Sequence, residues 1–134
     1  MAVTIPSDVN TARTIFYVVA ILMAIYGLAL LLFPQAIFTL SNDPGVPANP
    51  GWVRWAGGFV LGTAVAAWLA ASNPESQRPL MVGLATGFTL VTLALLYSNL
   101  AGDYRGVQLL SWLQILGNGV LAAGMWWLTS KLAA

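Results

Sequence analysis

The stretch NPGWVRWAGGFVLGTAVAAWLAAS, from Asn49 to Ser72, decides how the rest of the chain is arranged. It is an apolar run long enough to cross a bilayer, with Asn49 as N-cap and Pro50 in the first turn. Small residues recur at every fourth position on one face: Gly58, Gly62, Ala66 and Ala70. Because lipid supplies no hydrophobic force between helices, such a face favours close backbone packing. The pattern predicts that this helix is the packing hub and that Gly62 tolerates substitution less well than Leu61.

The composition is that of a membrane protein with almost no soluble mass. The chain has 134 residues, of which 59% are hydrophobic and 7% charged, and its mean hydropathy is +0.81. A helix needs about 20 apolar residues to cross a bilayer. Four such spans are predicted, at about residues 14–33, 51–72, 80–100 and 105–131. They predict a single all-α domain over residues 1–134, an integral membrane four-helix bundle with antiparallel up-down connectivity. A short interfacial helix is predicted at about 34–41, led by Pro34.

The residue types that are missing from the sequence restrict its chemistry. The chain has no Cys and no His, which argues against thiolate chemistry, histidine-ligated haem and the usual zinc sites. We therefore expect no metal site, no catalytic residue and no resident cofactor. The five Lys and Arg residues are scattered and the net charge is +1, so nucleic acid is not expected as a partner.

The third and fourth apolar segments each carry a further pattern. Gly83 and Gly87 repeat the four-residue small spacing and are expected to pack against a neighbouring helix. In the fourth segment, polar residues fall along one stripe: Gln108, Ser111, Gln114 and Asn118. Amides in hydrocarbon need partners. The stripe therefore predicts either hydrogen bonds between helices or a ligand site for a quinone, pigment, lipid or small polar solute.

Charged residues cluster at one predicted membrane boundary. Arg54 follows Trp52 and is expected on the same side as Asp43 and Asp103. A charge so close to lipid normally snorkels or pairs. The set is interpreted as an ion pair that fixes the first loop, with an anion or headgroup site as the alternative.

The distribution of basic residues predicts the orientation. Arg13, Arg78 and Lys131 lie on one side of the predicted bundle, whereas Arg54 and Arg105 lie on the other. By the positive-inside rule, this bias of one charge favours cytoplasmic termini.

Two segments resemble a known family. YGLALLLFP, from Tyr26 to Pro34, is followed by an interfacial segment and then by RWAGGFVLG, from Arg54 to Gly62. This succession resembles the DoxX-like group of small bacterial four-helix membrane proteins. The resemblance implies a four-helix bundle in the bacterial cytoplasmic membrane. Some members of the group are linked to quinone-associated oxidation of sulfur compounds, but no catalytic motif of theirs can be placed on this sequence.

Two functional hypotheses follow from these patterns. The first is a non-catalytic accessory or assembly subunit that binds other membrane subunits laterally through exposed Gly and Ala faces, which also allow a homo-oligomer. The second is a binding or permeation module lined by the polar stripe of the fourth helix. Membrane lipids are the expected surroundings in both cases.

Overall fold

The computed structural model describes residues 6–40, 51–103 and 109–132, all in helices or the short turns that join them. The elements are α1 (Pro6–Leu32), α2 (Pro34–Leu40), α3 (Gly51–Ala70), a short 3₁₀ turn (Pro74–Ser76), α4 (Arg78–Ala101) and α5 (Leu109–Lys131). The four long helices are each long and apolar enough to cross a membrane. The predicted all-α fold with four spans and a short helix after the first is therefore confirmed. Asn49 and Pro50 lie outside the described residues.

Proline and glycine set several helix boundaries. Pro34 opens α2 directly after α1, and Pro79 occupies the first turn of α4, where its missing N–H costs nothing. Gly102 ends α4 in the left-handed conformation, with φ at +78°, and donates its backbone N–H to Ser98 O. Helices often end with a residue in the left-handed conformation, which glycine adopts without strain.

The long helices form two antiparallel hairpins rather than an evenly packed bundle. In the described residues α1 packs along α3 and α4 packs along α5, whereas α3 and α4 hardly touch along their lengths. The hairpins join at the end marked by the 3₁₀ turn. There a common core holds the large buried side chains Phe16, Val19, Met81, Met125 and Leu128. Beyond this core the two hairpins separate.

The α1–α3 hairpin is built around a close approach of two glycines. A Cβ atom at Gly27 would lie 2.9 Å from the backbone nitrogen of Leu61 and 3.1 Å from the carbonyl oxygen of Gly57. A Cβ atom at Gly57 would lie 3.0 Å from Gly27 O and 3.0 Å from Leu31 N. These distances are shorter than ordinary van der Waals contact, so a side chain at either position would require the facing backbone to shift.

Two arginines close the same hairpin at its opposite ends. Arg13, near the start of α1, donates from Nε to Ala71 O, just past the end of α3, at 3.1 Å. Arg54, near the start of α3, donates from Nε to Leu31 O, near the end of α1, at 3.3 Å. The last carbonyls of a helix lack intrahelical partners and carry partial negative charge. Each helix thus supplies a cation to the C-terminal end of the other.

The predicted packing face of α3 is wrong for most of its length. Gly58 and Gly62 are exposed, and a Cβ atom at either would meet nothing within 4 Å. Ala66 is half-buried, and only Ala70 lies in the core. Gly57, one residue before Gly58 and therefore about 100° around the helix, lies in the contact with α1 instead. Leu61 was expected to face lipid or a looser contact, but its backbone lies beside Gly27, where an added Cβ atom would be 2.9 Å from Leu61 N.

The glycines of α4 do not form a close contact either. Gly83 and Gly87 are exposed, and added Cβ atoms there would meet nothing within 4 Å. The packed face of α4 carries larger side chains, among them Met81, Leu84 and Phe88. Among the described glycines, Gly27 and Gly57 form the close backbone contact, whereas Gly58 and Gly62 of α3 and Gly83 and Gly87 of α4 border open space.

Matched substitutions at adjacent glycines test this arrangement. We expect Gly57→Ala to destabilise the protein by about 1–3 kcal/mol, because its methyl group meets backbone atoms that cannot yield locally. Gly58→Ala should be neutral or stabilising by up to about 1 kcal/mol, because its methyl group has open space and alanine favours helix. Apparent thermal midpoints in mild detergent measure both. Equal midpoints, or a lower one for Gly58→Ala, would contradict the Gly27–Gly57 contact.

Candidate functional site: a cavity between the two hairpins

The separation of the hairpins leaves a cavity that all four long helices border. This central cavity has a volume of about 520 Å³, within the range of about 300–1,000 Å³ typical of small-molecule sites. Most of its lining is apolar, including Leu22, Met23, Phe88, Val91 and Leu121. No described residue that lines it is charged. It is therefore a mostly apolar space within the membrane-spanning part of the fold.

Four side chains with polar atoms line the central cavity: Tyr26, Thr63, Gln114 and Asn118. Gln114 Nε2 donates to the hydroxyl oxygen of Tyr26 at 3.4 Å, a long hydrogen bond that links α5 to α1 across the space. Asn118 Nδ2 donates to Gln114 O at 2.8 Å, and the Thr63 hydroxyl donates to Phe59 O at 3.0 Å. These polar side chains are thus hydrogen-bonded within the protein and also line the cavity.

The two amides keep acceptor capacity. Gln114 Oε1 and Asn118 Oδ1 receive no hydrogen bond from another described residue. A side-chain carbonyl can accept two hydrogen bonds, and a group in hydrocarbon gains most from a partner because no water competes. The site is therefore suited to a ligand that brings a hydroxyl or N–H donor.

The predicted polar stripe divides into two parts. Gln114 and Asn118 line the central cavity, whereas Ser111 is buried against α4, where its hydroxyl oxygen accepts a hydrogen bond from Asn99 Nδ2. Asn99 Nδ2 also donates to Leu95 O at 2.9 Å. Ser111 therefore has the interhelical bonding role that was one of the two alternatives. Gln108 lies outside the described residues.

A second open space lies between α3 and α4. This lateral groove has a volume of about 780 Å³ and contains the exposed small residues Gly58, Gly62 and Ala66. It shares three lining residues with the central cavity: Thr63, Gly83 and Leu84. The two spaces therefore meet at the gap between the helices.

The predicted charged cluster is not assembled among the described residues. Asp103 is exposed, and its backbone N–H donates to Ser98 O at 3.0 Å. No ion pair joins Asp103 to Arg54 in the described part of the chain, and Arg54 instead bonds Leu31 O. Asp43 lies outside the described residues. Within those residues, no group of three His, Cys, Asp or Glu side chains could hold a metal ion.

Tyr26 and Asn99 are not among the site residues predicted from the sequence. Both are polar residues in apolar helices, which is a usable signal, since such groups normally find partners in a membrane protein. The prediction also missed the face of α3 that packs on α1. That face carries Val53, Gly57, Ala64 and Ala67, at spacings of four, seven and three that fit the 3.5-residue period of packed helices. Because Gly57 and Gly58 are adjacent, the sequence allowed either of two faces of α3 to be the one that packs on α1.

Comparison with protein-family models, curated proteins and solved structures found no match. The resemblance to the DoxX-like group therefore stays a prediction.

The buried hydrogen bond of Ser111 should contribute stability without contributing to the cavity. We expect Ser111→Ala to destabilise by about 0.5–1 kcal/mol, because Asn99 then loses its partner across the helix contact. Ser130→Ala on the same helix is the matched control, since the Ser130 hydroxyl is exposed and bonds only the Trp127 carbonyl of its own helix. Thermal midpoints in detergent that are equal for the two variants would argue against this structural role.

Proposed function

We propose that this multi-pass membrane protein binds an apolar ligand that carries a small hydrogen-bonding head, held in the central cavity. The observation that carries the proposal is that Gln114 and Asn118, whose side-chain amide oxygens have spare acceptor capacity, line a mostly apolar cavity. Ligand sites commonly combine an apolar lining with a few converging polar groups. Lipids with a hydroxyl head, quinols, and pigments that carry a hydroxyl or N–H group all fit this description.

The contact between α1 and α5 beside the central cavity supports the proposal further. The contacts there include a long hydrogen bond of 3.4 Å from Gln114 Nε2 to the hydroxyl oxygen of Tyr26. Such a bond is weak and a ligand head could replace it at little cost. Binding at this site requires no reaction, and the absence of enzyme activity stays a prediction.

Replacing both amides tests the proposed function. The Gln114→Leu, Asn118→Leu double variant removes two polar partners and should lower the ligand content of the purified protein by about tenfold. Mass spectrometry of an organic extract of the protein, purified in mild detergent, measures that content. Thr86→Leu on α4 is the control, since Thr86 is exposed and lines neither the central cavity nor the lateral groove.

The folding of the variants is checked before their ligand contents are compared. Circular dichroism and the thermal midpoint establish that the double variant keeps its helices. A folded double variant that retains the wild-type ligand content would remove the proposed function. Thr86→Leu should retain the same content as the wild type.

A second candidate is an accessory subunit of a larger membrane complex. It is favoured by the exposed small-residue faces at Gly58, Gly62, Gly83 and Gly87, which would let a transmembrane helix of another subunit approach α3 and α4 closely. Such a helix would occupy the lateral groove.

Purification at native abundance tests the accessory role. A partner subunit seated in the groove should be recovered with the wild type in several mild detergents and lost with Gly62→Leu, whose side chain projects into the groove. Mass spectrometry identifies the proteins recovered. Isolation of the chain alone from every detergent would count against this candidate.

A further inference from the structure

The two helices that border the lateral groove are neighbours in sequence but do not close on each other. Only a short turn separates the end of α3 at Ala70 from the start of α4 at Arg78. Helices joined so closely normally pack along their lengths. Here the described parts of α3 and α4 hardly touch, and the gap leads to the central cavity at Thr63, Gly83 and Leu84.

We infer that the lateral groove is the route by which a neutral amphiphile enters the central cavity from the bilayer. In the bound state its chain lies in the groove and its hydroxyl-bearing head lies against Gln114 and Asn118. This inference rests on the proposed function and adds the chemical class of the ligand and its path.

The lateral groove and the central cavity differ in polarity, as binding of an amphiphile requires. The lateral groove is bordered by Trp55, Phe59, Leu80 and three glycines. The one hydroxyl group among its described lining residues, that of Thr63, already donates to Phe59 O. The groove therefore offers apolar surface to a chain. Of the described residues that line the two spaces, the amides Gln114 and Asn118 border the central cavity and not the groove, which places the head at the inner end.

The absence of charged lining residues in the described part of either space restricts the head further. An ionised group in a low-dielectric site is costly unless a charge of opposite sign pairs with it. A phosphate-bearing head would lack such a partner here. A diacylglycerol and an isoprenoid quinol share the required chemistry, since both join an apolar chain to a neutral head with a hydroxyl group.

Glycine residues leave the lateral groove unfilled. At Gly58, Gly62 and Gly83, an added Cβ atom would meet nothing within 4 Å, so the space beside each backbone is unfilled. Gly62 belongs to the lateral groove alone and does not line the central cavity. A large side chain at Gly62 should therefore block the groove and leave the cavity intact.

Photo-crosslinking of the full-length protein in phosphatidylcholine vesicles tests the inference. The probes are a clickable diacylglycerol, a clickable isoprenoid quinol and a clickable phosphatidylglycerol, each with a photoreactive group beside the head. Peptide mass spectrometry locates the label. We expect at least one neutral probe to label the segment 114–121 in the wild type, and the phosphatidylglycerol probe to leave it unlabelled. Which neutral probe reacts separates the two sources of the head.

The variants decide between entry through the groove and entry elsewhere. Gly62→Trp should reduce labelling of 114–121 about tenfold, the effect of losing on the order of ten atom contacts between chain and groove. Val65→Trp is the matched control, since Val65 is exposed on the same helix outside both spaces, and should label like the wild type. Gly58→Trp repeats the test at a second groove position if Gly62→Trp fails to fold.

The contrary outcomes are distinct. Equal labelling of 114–121 in the wild type, Gly62→Trp and Gly58→Trp would overturn the groove as entrance and leave the proposed function standing. No labelling of that segment by either neutral probe in the wild type would overturn both. Equal labelling by the phosphatidylglycerol probe would overturn the neutral head.

Discussion

The close approach of α1 and α3 at Gly27 and Gly57 is the constraint on which the rest of the structure depends. Because a Cβ atom at either position would meet backbone atoms at about 3 Å, the contact fixes the rotation of α3 about its own axis. Gly57 faces α1, so Gly58 and Gly62 must face away from it. Arg13 and Arg54 strengthen the same pairing by bonding the C-terminal carbonyls of the opposite helix.

The central cavity follows from how the two hairpins are joined. Large side chains, among them Phe16 and Met125, fill the space between the hairpins at the end near the 3₁₀ turn. At the other end the small residues of α3 and α4 leave the space open. Polar groups are used differently in these regions: Ser111 bonds Asn99 within the α4–α5 contact, whereas Gln114 and Asn118 border the cavity.

The positions of the helices could be predicted from the sequence, but the rotation of each helix about its own axis could not. Length and hydropathy predicted four spans, and Pro34 marked the short helix that follows the first, because these signals are local. Which face of α3 packs depends on its partner, and the adjacent Gly57 and Gly58 made two faces equally small. The regular spacing of Gly58, Gly62 and Ala66 favoured the wrong face. That spacing borders an open groove in the structure. The polar stripe of α5 was recognised, but its division between structural and cavity-lining residues depends on Asn99 and Tyr26, which lie on other helices.

The rotation of α3 can be measured directly by a nitroxide scan from Gly58 to Ala67 in lipid vesicles, with oxygen accessibility read by electron paramagnetic resonance. The chain has no native cysteine, so each single cysteine variant carries one label. Packing through Gly57 predicts accessibility minima at Ala64 and Ala67, which are buried, and maxima at Gly58, Gly62 and Val65, which are exposed. Minima at Gly58, Gly62 and Ala66 would show instead that this face is packed, and would contradict the Gly27–Gly57 contact as the basis of the fold.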